Sequence, residues 1–117
     1  MNLRTLHLWR HMSYRFMRIM LYFDLPSVSN TEKRAYRKFV KLLIKKGFIR
    51  IQESVFAKLV QNQTDADLTL HALEKEVPID GDIRAMVITE KQFSGRKILS
   101  GSIETDIIMS DEKIIKL

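Results

Sequence analysis

Cysteine is absent from all 117 residues, so disulfides and thiolate metal sites are excluded and an apolar core must hold the fold alone. This absence also fits a reducing compartment, and the expected location is the cytoplasm. Glycine occurs four times and proline twice, too sparsely for a Gly-rich phosphate loop or a Pro-rich linker. Long apolar runs are missing as well: none approaches the ~20 residues that cross a bilayer. The opening MNLRTLHLWRH has no continuous apolar stretch of the kind a signal peptide carries. Met12-Ser13 reads as a second start, and residues 1–13 are expected to be a disordered or vector-derived tail before a single domain over 14–117. Acidic residues are scarce in the first half. Residues 1–60 hold 13 Lys and Arg against 3 Asp and Glu, whereas residues 61–117 hold 7 against 11. The net charge of +6 therefore conceals a strongly positive half.

That positive half is organised. MRIMLYFD, residues 17–24, reads as a buried strand that ends in a carboxylate at Asp24 just before Leu25-Pro26. Ser29 and Glu32 have the S-x-x-E spacing of a capping box and predict a helix start. Ala35, Tyr36, Phe39, Val40, Leu43 and Ile44 then recur at helical spacing as a core-facing stripe, and Gly47 supplies the stop. Lys33, Arg34, Arg37, Lys38, Lys41, Lys45 and Lys46 occupy the remaining faces against Glu32 alone. Like charges four apart repel and cost a helix a few tenths of a kcal/mol per pair. A face built this way suits an anion, and about 14 residues of helix span about 21 Å, enough to follow several backbone phosphates. The apolar stripe is needed for the core and holds no Trp, which argues against a membrane surface as the polyanion.

Beyond Gly47, FIRIQESVFAKLV places Ile49, Ile51, Val55, Ala57 and Leu59 on one parity, the period of a half-buried strand. Its length predicts a bend or bulge near Gln52 to Ser54 that divides it into two strands. Thr64 or Asp65 is expected to cap a second helix carrying Ala66, Leu70, Leu73 and Val77, which Pro78 ends. Asp80-Gly81-Asp82 is a turn, residues 83–89 form a strand, and Ile114, Ile115 and Leu117 close the chain as a last apolar strand. The order β-α-β-β-α-β with an extra C-terminal strand is an α+β, ferredoxin-like sandwich. One such small domain gains burial by dimerising. His7 and His11 are four apart but have no third ligand nearby, and His71 reads as an ordinary boundary residue.

Three segments in this order, MLYFDLP around Asp24, QESVF with Ser54 and Phe56, and ITEKQF over residues 88–93, resemble CRISPR-associated protein two, particularly its type II-A form. The likeness runs from about residue 14 to the end, with the basic helix between its motifs. It implies a homodimer acting in spacer acquisition, which bridges dimers of the integrase, CRISPR-associated protein one, and binds double-stranded prespacer DNA. The end-binding ring protein and the effector nuclease of type II-A systems are further implied partners. Many family members are described as Mg²⁺-dependent endoribonucleases or DNases. Asp24 matches the family's metal-binding, catalytic aspartate; Ser54 and Phe56 match a segment near the dimer cleft. Mg²⁺ tolerates one or two carboxylates and completes its octahedron with water and phosphate. Two other readings stand beside this one: an RNA-binding sheet, for which the strands lack the required exposed aromatic pattern, and a metabolite-binding regulatory module without nuclease activity, which leaves the positive half unexplained.

Overall fold

The computed structural model describes residues 16–101, and the expectations for residues 1–13 and for Ile114, Ile115 and Leu117 lie outside that range. Its elements run β1 (Met17–Asp24), α1 (Asn30–Lys45), β2 (Ile49–Gln52), β3 (Val55–Val60), α2 (Gln63–Glu74), β4 (Asp82–Thr89) and α3 (Glu90–Ser94). The four strands form one sheet in the order β2-β3-β1-β4, every pair antiparallel. This is the expected ferredoxin-like arrangement, with the first strand at the centre.

Alternation along β1 divides the sheet into two faces. Ile19, Leu21 and Phe23 are buried and point toward α1 and α2, where they join Phe39, Leu43, Phe56, Val60, Ala66 and Leu73 in the core. Phe23 packs edge-on to Phe39 at 5.0 Å between ring centroids and stacks on Phe56 at 5.8 Å. Arg18, Met20, Tyr22 and Asp24 point to the opposite, open face. Each pairs there with a residue of β4: Ile88, Met86, Arg84 and Asp82 in turn.

Helix α1 starts where the sequence places it. The Ser29 hydroxyl accepts from the Glu32 amide at 3.1 Å, and the Glu32 carboxylate accepts from the Ser29 amide at 2.9 Å. Those backbone donors hold the Glu32 carboxyl below its ordinary value. The helix ends at Lys46, and Gly47 follows at φ 92°, a left-handed conformation that side chains strain. Lys58, on the helix side of β3, donates to the Lys46 carbonyl at 2.6 Å and thereby closes the helix end with a cation, where the macrodipole favours one.

Four expectations need correction. The α1 stripe is narrower than its period suggests: Phe39, Val40 and Leu43 are buried, but Ala35 and Ile44 are exposed. At about 100° per residue Ile44 falls among the cations, while Leu42 packs against the core instead. The long strand is a hairpin whose apolar parity faces the other way. Phe56 and Val60 enter the core, whereas Val55 and Leu59 lie on the open face and Leu59 is 44% exposed. Helix α2 is capped by Asn62, whose side chain accepts from the Asp65 amide at 2.8 Å, rather than by Thr64 or Asp65. Finally, α2 ends at Glu74, before Val77 and Pro78; residues 90–94, to which the sequence reading assigns no element, form a short helix after β4, set by a Thr89/Gln92 capping box.

Phe56 is 0% exposed at the centre of the core. Phe56→Ala is therefore expected to cost about 3–5 kcal/mol, read from urea unfolding; a loss under ~1 kcal/mol would place the ring outside the core.

Candidate nucleic-acid and metal site

The cations of α1 emerge from the same helical period that buries its core. Lys33, Arg34, Arg37, Lys38, Lys41 and Lys45 are all exposed and fall within an arc of about 140°, turned away from Phe39 and Leu43. Lys46 pairs with Glu76 at 3.0 Å, but none of these six has an acidic partner among the described residues. The result is an uncompensated cationic strip along a helix about 24 Å long. No helix among the described residues is long and apolar enough to cross a membrane.

Asp24 lies at the C-terminal end of β1 on the open face, exposed, with its carboxylate in no hydrogen bond or ion pair among the described residues. Antiparallel register sets Asp82 directly opposite it, so two carboxylates share one end of the sheet. Sequence reasoning puts Asp82 in a turn and gives it no role. Its signal was the alternation of Asp82, Arg84 and Met86, which puts it on the Asp24 face once the register is known. Arg84 donates to both Asp82 oxygens at 2.8 and 2.9 Å. These hydrogen bonds hold the Asp82 carboxyl below its ordinary value and raise that of Arg84.

Ser54 shares this end of the sheet. Together with Tyr22, Phe23, Asp24, Val55, Asp82 and Arg84 it lines a shallow hollow of about 330 Å³. Its hydroxyl lies 2.9 Å from the Tyr36 hydroxyl, which donates at 2.9 Å to the Glu53 carbonyl, and its carbonyl accepts from the Phe23 amide at 3.1 Å. Arg50 donates to the same Glu53 carbonyl at 3.0 and 2.7 Å. The β2–β3 turn is thus tied to both α1 and β1, which fixes Ser54 beside Asp24. Phe56 does not join them. A ring with no exposed surface, on the helix side of the sheet, has nothing to give a cleft, so that expectation is corrected. His71 is 70% exposed, 3.8 Å from Glu74, and is not among the residues that line the hollow beside Asp24.

The donor set suits a hard cation only in part. Among the described residues no group of three or more His, Cys, Asp or Glu could hold a metal ion. Asp24 offers free carboxylate oxygens, and Asp82 offers oxygens already engaged by Arg84. Such a pair fits Mg²⁺ held largely by water and phosphate, and it fits neither Zn²⁺ nor a closed structural site.

At its other end the open face is covered. Arg18 donates to both carboxylate oxygens of Glu90 at 2.7 Å and lies 4.3 Å from the centroid of the Phe93 ring, which pins α3 onto β1. Between this lid and Asp24 the face is apolar, with Met20, Leu59 and Met86 beside the fully buried Ala57.

A four-stranded antiparallel sheet in the order β2-β3-β1-β4, with a carboxylate at the end of its first strand and a cationic first helix, places the chain in the ferredoxin-like class. Residues 17–96 match the family CRISPR associated protein Cas2, and the chain belongs to that family. It is 38% identical over 101 residues to the CRISPR-associated endoribonuclease Cas2 of Treponema denticola, covering 86% of this chain and 100% of that one. Against the protein of the same description from Streptococcus mutans serotype c (strain UA159) it is 39% identical over 101 residues, covering 86% and 93%. Among solved structures, Streptococcus pyogenes Cas2 at pH 6.5 superposes with a TM-score of 0.55 at 19% identity, covering 71% of this chain and 99% of that one, a likeness of fold.

Linkage at Asp82 gives a test of this geometry. A depressed carboxyl contributes stability that is present above its unfolded value and lost as pH falls through the folded one. Arg84→Gln should return the Asp82 titration, followed by carboxyl NMR, to the ordinary range near pH 4. Unfolding curves should accordingly separate wild type from variant at neutral pH and merge in strong acid. An Asp82 titration that Arg84→Gln leaves unmoved would contradict the pairing.

Proposed function

We propose that this protein works in CRISPR adaptation as a homodimer that binds duplex prespacer DNA along α1 and bridges dimers of the integrase, CRISPR-associated protein one. The observation that carries the reading is the cationic strip of α1. Six exposed cations without acidic partners among the described residues cost the isolated fold stability through mutual repulsion, and a polyanion relieves it. Lys and Arg on consecutive turns suit the phosphate backbone, so binding is expected to follow it rather than sequence. Dimerisation is supported by the apolar open face. Met20, Leu59 and Met86 stand there at the surface, Leu59 and Met86 at 44 and 48% exposure, and a second copy would cover them.

Replacing Lys33, Arg34 and Arg37 by Glu should weaken binding to any duplex while leaving the fold intact, since all three lie off the core. The log-log salt dependence should flatten by about 0.9 for each phosphate that the variant no longer neutralises. Wild-type affinity and slope in the triple variant would refute the reading.

A second activity is favoured by the free carboxylate of Asp24 beside Asp82 and Ser54. In this reading the chain is also an endoribonuclease, the activity that its relatives' names describe, and it uses Mg²⁺. Asp24 would hold the cation, in a dimer together with its counterpart from the second copy, and the bound cation supplies a polarised phosphoryl oxygen and an activated water. The chain's own part is to present Asp24 rigidly, which the Phe23–Ser54 backbone bond and the flanking β3 and β4 strands do. Asp24→Asn keeps the shape of the strand end and removes the charge. It should abolish Mg²⁺-dependent cleavage of RNA while leaving duplex binding and dimerisation unchanged; cleavage that survives in the variant would exclude Asp24.

A further inference from the structure

Arg84 has no role in either of these readings, yet its surroundings give it one. It stands on β4 opposite Tyr22, and on that strand its side chain turns back toward Asp82 and hence toward the Asp24 end of the sheet. Asp82 engages Nε and Nη2, one edge of the guanidinium, through two parallel bonds. A guanidinium carries five N–H donors in a fixed plane. The opposite edge, including Nη1, therefore remains free among the described residues, and Arg84 is 67% exposed. A carboxylate clamped to one edge holds the plane in a single orientation, which is how an arginine is prepared to take a second, planar, bidentate anion.

The anion this edge suits is a phosphodiester. Asp24 and Asp82 together leave the end of the sheet negative, and Arg84 alone balances one of the two charges. A divalent cation at Asp24 would reverse that sign, so phosphate could approach both the cation and the guanidinium at once. The hollow of about 330 Å³ between Tyr22, Ser54 and Arg84 is open to the surface on the same face. It lies apart from the α1 strip, which is turned to solvent on the other side of the sheet.

Resting on the endonuclease reading above, we infer that Arg84 is a phosphate-binding residue of the Asp24 site, positioned by Asp82, that holds the backbone of a single-stranded RNA substrate next to the scissile bond. A purely structural alternative is that Arg84 only relieves repulsion between Asp24 and Asp82, which face one another across the two strands. The two differ in what happens when the repulsion is removed by other means.

The test measures binding of a labelled short single-stranded RNA across a salt series with Ca²⁺, a hard cation that takes carboxylate oxygens, in place of Mg²⁺, together with KM and kcat for its cleavage in Mg²⁺. Arg84→Gln should weaken binding by roughly tenfold, the value of one charge-assisted hydrogen bond, and flatten the salt slope by about 0.7. KM should rise more than kcat falls, and duplex DNA binding should stay at the wild-type value. Arg84→Lys keeps the charge without the fork and should restore the slope but only part of the affinity, which also guards against a folding defect in the Gln variant. The double variant Arg84→Gln with Asp82→Asn removes the repulsion along with the cation, and it should bind RNA as poorly as Arg84→Gln alone. Wild-type affinity and slope in Arg84→Gln, or recovery of both in the double variant, would overturn the inference while the endonuclease reading stands. Absence of Mg²⁺-dependent RNA cleavage in wild type would bring down that reading and the inference together.

Discussion

Strand β1 is the constraint on which everything else depends. It is hydrogen-bonded on both edges, to β3 and β4, and it alternates between a core face and an open face. Ile19, Leu21 and Phe23 are 0, 1 and 8% exposed, so the strand cannot shift register by one residue without moving three buried side chains to the wrong side of the sheet. The same register delivers Asp24 opposite Asp82 and Tyr22 opposite Arg84. The geometry of the carboxylate end is thus held by the packing of the core rather than by bonds within the site.

Electrostatics separates the molecule into two working surfaces. On one side α1 displays cations whose mutual repulsion is tolerated because Phe39, Val40 and Leu43 anchor the helix from beneath. On the other, the open sheet face runs from the Arg18–Glu90 pair, through an apolar centre, to the Asp24 end. The Arg18–Glu90 pair is half-buried, at 15 and 17% side-chain exposure, and couples the short helix α3 to the central strand. A polyanion on α1 and a second copy on the open face would not compete for the same residues.

Much of the fold was legible from local signals. The capping box of Ser29 and Glu32, the Gly47 stop and the β-α-β-β-α-β order follow from residue type and spacing, and each recurs in the structure. The faces were harder. Ile49, Val55, Ala57 and Leu59 form a clean apolar parity, but Phe56 and Val60 on the other parity take the core, because that is the face of β3 on which the helices pack. Periodicity reports that a face is apolar and does not say which side the helices cover. Asp82 was missed for a related reason: its meaning comes from a partner across the sheet, fifty-eight positions away in sequence. The Thr89/Gln92 capping box, by contrast, was available in the sequence and would have revealed α3.

The central claim is that the outer face of α1 is the nucleic-acid surface, and backbone amide NMR tests it most directly. Titrating a short DNA duplex into the isotope-labelled protein should shift the amides of Lys33 to Lys45 progressively and leave those of α2, residues 63–74, in place. Perturbations centred on α2, or none on α1 at concentrations where the duplex is bound, would contradict it.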